Sequence, residues 1–312
     1  MKFILYLSTG LLAVMPGTAE NVAARVSGPV LGYVEKAAQV RPVIGIPGAA
    51  YFAPALELDG FEVAAVASES GYAVLLTTDR SSARILALHS SHPHSSQPLG
   101  EFVSLGSAVK GVRLSAGGTA AALVREGNID ILSGLPNQPR LARTVEVPAG
   151  TVAVAVSDDG EALAIFEGNT ISVFDGNGQR QLASARAVHD LRFRQGSREV
   201  TYIDGDSVMV ASSEGVRMAA GAADNLASPR AALFSRDGRI VLIADAASQD
   251  LLIAQPSGSG ISERLKLPCV PAELASMNDS TFWFRCETGG QVHLVQLTSN
   301  GTRVLFIPEP VE

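Results

Sequence analysis

Three histidines fall within six residues in His89-Ser90-Ser91-His92-Pro93-His94. Imidazole is the commonest side-chain ligand for zinc, copper or nickel, so His89, His92 and His94 are candidate metal ligands. Against that chemistry, the segment is rich in Ser and Pro and reads as a solvated loop. No Asp or Glu lies within six residues to orient a ligating ring. The second candidate is the cysteine pair, Cys269 and Cys286, the only two in the chain. A hairpin turning near Met277 to Ser280 sets them almost opposite each other, so a cross-strand disulfide is expected. The alternative is two buried free thiols. No Cys-x-x-Cys motif is present, so the pair reads as a staple, not as redox chemistry.

These residues sit within a repeat. A turn signature recurs as Ser68-Glu69-Ser70-Gly71, Ser115-Ala116-Gly117-Gly118 and Ser157-Asp158-Asp159-Gly160. It continues as Arg194-Gln195-Gly196-Ser197, Ser235-Arg236-Asp237-Gly238 and Ser276-Met277-Asn278-Asp279. Successive copies begin 37 to 47 positions apart, the period of a four-stranded propeller blade. In the third copy, Thr151–Val156, Glu161–Phe166, Thr170–Asp175 and Arg180–Ala183 read as four strands, with Asp159-Gly160, Gly168-Asn169 and Gly176-Asn177-Gly178 turning the chain between them. Four residues before each turn stand Ala64, Gly111, Ala153, Asp190, Ala231 and Ala272. Small side chains suit innermost strands crowded around a central axis.

The block Ser157-Asp158-Asp159-Gly160-Glu161-Ala162-Leu163-Ala164, with Thr170-Ile171-Ser172-Val173-Phe174-Asp175 after it, resembles a WD40-like or YVTN-type propeller repeat. Ser235-Arg236-Asp237-Gly238 with Ile240-Val241-Leu242-Ile243 is similar. The resemblance spans about residues 60–310 and implies an all-β propeller. No Trp-Asp dipeptide closes a blade and no Gly-His pair opens one, so the likeness is one of fold. Residues 60–312 then supply six copies. Residues 20–59 hold two further strands, Val30–Val34 and Val40–Ile46, which either join a seventh, incomplete blade or cap the ring. Seven blades are favoured over six, because a ring must close to protect its edges.

The repeat register brings a third candidate into view. Five residues before the turns stand Lys110, His189 and Arg230, with Asp190 beside them. Propeller geometry puts these where the first strands enter the channel. Such a cationic group could hold a small anionic ligand or a partner's carboxylate. An ordinary solvated rim of charges is the competing reading.

The remaining features bound the setting. Lys2, the apolar stretch Phe3–Met15 and Gly17-Thr18-Ala19 read as a signal peptide covering residues 1–19, with the mature chain starting at Glu20. The chain is therefore expected to be exported, to a periplasm or beyond, as a monomer without a membrane span. Its formal charge of -7 argues against nucleic acid. No Gly-x-Ser-x-Gly elbow, His-Glu-x-x-His helix or phosphate-cradling loop is present, and no cofactor is expected. The reading is a non-enzymatic binding scaffold. The alternative is an exported propeller enzyme, lactonase-like or quinoprotein-like, with its site at the channel mouth.

Overall fold

A computed structural model describes residues 28–58, 60–88, 96–104, 107–148, 150–258 and 260–308. Residues 1–19 and the three loop histidines His89, His92 and His94 lie outside them. The described chain is all β apart from one short 3-10 turn, Ala222–Asp224. Its strands form one three-stranded and six four-stranded antiparallel sheets, and each sheet uses consecutive strands.

Blade 1 comprises β1 (Val30–Lys36), β2 (Gln39–Ile46) and β3 (Ala49–Phe52). The innermost strands of blades 2 to 7 are β4 (Phe61–Ala67), β8 (Gly111–Leu114), β12 (Ala153–Val156), β16 (Val188–Phe193), β20 (Pro229–Phe234) and β24 (Pro271–Ser276). The N-terminal strands thus form a seventh blade of their own. They gain a strand, β3, past the Pro47-Gly48 turn.

Local turn chemistry explains why the repeats fold alike. In blade 4, Ser157 Oγ accepts from the Ala162 amide at 2.8 Å and donates to Asp159 Oδ1 at 2.6 Å, which also accepts from the Glu161 amide at 2.9 Å. Blade 6 repeats the arrangement with Ser235, Asp237, Arg239 and Ile240. Gly160 (φ 73°) and Gly238 (φ 67°) take the left-handed conformation that these turns require.

Seven apolar clusters hold the ring, and each one lies between two neighbouring blades. Small side chains dominate; Ala120, Ala121 and Ala122 are fully buried in a row. Closure occurs where Val34, Val43, Ala50 and Phe52 of blade 1 meet Trp283, Val292, Leu294 and Ile307 of blade 7. Side-chain packing makes this joint, because no strand is shared between the two sheets. A Cβ on Gly32 would come within 2.5 Å of Met277 Cγ, so the close approach of blade 1 to blade 7 needs a glycine there.

The Cys269–Cys286 disulfide is present, with its Cα atoms 5.7 Å apart. It ties the connection leaving blade 6 to the end of β25 (Thr281–Cys286) in blade 7.

Candidate ligand site in the central channel

All six full-blade inner strands run from one face of the disc to the repeated hairpin turns on the other. They enclose a channel of about 640 Å³. Near their starts, four of these strands carry a β-bulge, at Ala64, at Asp190–Leu191, at Arg230 and at Ala272. Bulges re-aim side chains, and all four positions line the channel.

The two faces differ. On the turn face, Arg236 of blade 6 pairs with Glu69 of blade 2 at 2.6 Å and with Asp279 of blade 7. Blades 6 and 2 are not neighbours, so this pair crosses the mouth. Beside it, Asp158 of blade 4 accepts from the Gly117 amide of blade 3 at 2.6 Å and from the Gly196 amide of blade 5 at 2.7 Å. Burial pushes the Glu69 carboxyl above its ordinary value, and Arg236 opposes that shift. The opposite face carries the exposed side chains of Val152, His189 and Arg230, and is the accessible mouth.

The positions singled out by the repeat register divide here. His189, Asp190 and Arg230 line the channel, whereas Lys110 is not among its lining residues. Lys110 is exposed and pairs with Glu126 at 3.6 Å. Asp190 is occupied by the fold. It sits at φ 52°, accepts from Arg192 Nε at 2.7 Å and from the buried Ala232 amide of blade 6 at 2.6 Å. Arg192 in turn donates to the Leu274 carbonyl of blade 7 at 3.0 Å. Asp190 therefore fastens blade 5 to blade 6 directly and to blade 7 through Arg192, with both carboxylate oxygens used.

Two other features emerge only in three dimensions. Arg113 of blade 3 lines the channel, and among the described residues its guanidinium bonds only to the carbonyl of its neighbour Val112, at 3.1 Å. Neither Arg113, His189 nor Arg230 forms an ion pair among the described residues. On the far wall, Glu35 of blade 1 and Glu273 of blade 7 also line the channel, and Glu273 pairs with Arg285 at 2.5 Å. Burial, and then the neighbouring Glu273 charge, push the Glu35 carboxyl above its ordinary value, while Arg285 opposes them. Arg113, His189 and Arg230 of blades 3, 5 and 6 thus share the channel lining with Glu35 and Glu273 of blades 1 and 7.

Arg113 stands two positions before its turn, outside the register that Lys110, His189 and Arg230 share. Arg192 occupies the same place in its own repeat, so that second register was the available signal. Glu35 precedes the six repeats and belongs to none of their registers.

Comparisons with known proteins bear on the fold. No family model matches the chain, and no curated protein matches it. A functionally unknown protein from Desulfotomaculum acetoxidans has a similar structure, with TM-score 0.60 and 12% identity, covering 89% of this chain and 99% of that one. Hsv2 from Kluyveromyces marxianus superposes with TM-score 0.56 and 11% identity, covering 90% and 97%. The Cps50 (Swd1) β-propeller domain of Myceliophthora thermophila gives TM-score 0.57 and 12% identity, covering 88% and 98%. The chain is a seven-bladed β-propeller. At these identities the likeness is one of fold.

Proposed function

We propose that the chain is an exported, non-enzymatic propeller that binds a carboxylate-bearing ligand, free or displayed by a partner protein, in the open mouth of its channel. The observation that carries this reading is the pair His189 and Arg230 at the open mouth, with Arg113 further along the channel, none of the three forming an ion pair among the described residues. Arginine suits the task because its planar fork matches a carboxylate. Lys110 is left out of the site because it does not line the channel, and Asp190 serves as the fastener that holds His189 and Arg230 in place. The disulfide and the lack of any membrane-spanning helix among the described residues are compatible with export.

Calorimetry with citrate as probe tests the reading. One saturable site is expected, weakened by added salt and weakened about tenfold by each of Arg113→Ala and Arg230→Ala. Heat that never saturates, or unchanged affinity in both variants, contradicts it.

A second reading, a lactonase-like or quinoprotein-like enzyme, draws support from Glu35, a channel carboxyl held above its ordinary value. Lactone hydrolysis or dye reduction by the purified protein, abolished in Glu35→Gln, would favour the enzyme over the scaffold.

A further inference from the structure

We infer that Cys269, Cys286 and His293 form a metal site that exists only when the disulfide is reduced. His293 lies on β26 (Val292–Thr298), paired opposite Phe284. One of its ring nitrogens and the two Sγ atoms all lie within 4.8 Å of one another. A four-coordinate zinc with two thiolates and one imidazole holds its donors roughly 3.5–3.8 Å apart, given metal bonds of about 2.3 and 2.0 Å. Opening the S–S bond lets the sulfurs separate toward that spacing, and the nitrogen closes on it from within 4.8 Å.

The imidazole is held for the purpose. It is only 4% exposed, stacks on Phe284 with ring centroids 5.0 Å apart and planes 13° from parallel, and meets Phe306 at 5.6 Å. Its Nε2 is buried with no hydrogen-bond partner. A leucine or phenylalanine would fill this apolar space without leaving a polar atom unsatisfied. A histidine beside two sulfurs supplies what a soft divalent ion needs, with water in the fourth position.

The site opens by thiol–disulfide exchange. Cys269 is partly exposed, while Cys286 is buried. A thiolate of a dithiol reductant attacks Cys269 Sγ, the bridge breaks, and the Cys286 thiolate leaves. The reductant's second thiolate attacks the mixed disulfide, closes its own disulfide and releases the Cys269 thiolate. The protein gains the two electrons that the dithiol loses. The two protons given up by the dithiol pass to solvent when the metal takes both thiolates.

The test uses the whole protein, reduced with a trialkylphosphine, which takes oxygen from water to become the phosphine oxide and leaves no competing thiol. After its removal, Co²⁺ is the probe. The expected result is one Co²⁺ per chain, with the visible bands of a tetrahedral site and a thiolate charge-transfer band, both displaced by Zn²⁺. The oxidised protein and a Cys269→Ser, Cys286→Ser variant should show neither band. His293→Gln should bind at least tenfold more weakly. Absence of the bands in the reduced protein, affinity unchanged in His293→Gln, or loss of the β-sheet circular dichroism on reduction would each overturn the inference. The imidazole ¹⁵N resonances of the unaltered reduced protein give the same answer without a variant. Movement on adding Zn²⁺ supports ligation by His293, and no movement overturns it.

Discussion

Replacing Asp190 should loosen three blades at once. Its carboxylate is 15% exposed and anchors two donors. One is the Arg192 guanidinium, about a third exposed; the other is the fully buried Ala232 amide. In Asp190→Ala the amide of Ala232 loses its partner without access to water, which costs about 1–3 kcal/mol. Arg192 keeps the Leu274 carbonyl and partial hydration, so losing its ionic partner adds about 1 kcal/mol. Alanine at φ 52° adds about 1 kcal/mol more, because aspartate tolerates the left-handed region better. The expected total is about 4 kcal/mol, measured by equilibrium urea unfolding. Asp190→Asn keeps an acceptor and the backbone tolerance, and should cost about 1–2 kcal/mol. An alanine variant within 1 kcal/mol of the parent, or an asparagine variant as damaged as the alanine one, would refute Asp190 as the fastener between blades 5, 6 and 7.

Further outcomes follow from other contacts. Burial raises the Glu199 carboxyl, but hydrogen bonds from Arg217 and Arg194 outweigh it and hold the group below its ordinary value. The unfolded chain therefore takes up the proton first. Glu199 should stabilise fully above about pH 4.3 and lose that contribution as pH falls through the lower folded value, so Glu199→Gln should flatten this acid limb in pH-dependent unfolding. Replacing both cysteines by serine should cost about 3 kcal/mol in urea unfolding, given the 17-residue separation the bridge spans. Tyr72 is fully buried and its hydroxyl donates to the Gly118 carbonyl across the blade 2–3 joint at 2.7 Å. Tyr72→Phe should cost about 1–2 kcal/mol by the same measurement.

The architecture was legible because it repeats. A turn such as Ser157-Asp158-Asp159-Gly160 announces its hairpin through local chemistry, and six copies of it announce a propeller. Blade 1 was harder to read. Its turns lack that signature, and its place in the ring depends on Phe52 and Val43 packing against Trp283 and Leu294 from the far end of the chain. The disulfide was readable because its partners flank one hairpin. The site was readable only in part. His189 and Arg230 share a register and both line the channel. Lys110 shares that register too, but its partner Glu126 lies close by in sequence on the exposed rim. Asp190 reads in sequence as a member of the same mouth group as Lys110, His189 and Arg230. Its role depends on an amide in the next blade and on Arg192, which sequence order does not reveal.

The channel mouth can be tested directly by following backbone amide resonances during a citrate titration. The account predicts saturable shifts at His189, Asp190, Arg230 and Ala231 and around Arg113 on β8, with outer-strand amides unmoved. Shifts confined to the outer strands, or none at concentrations that saturate calorimetric binding, would contradict it.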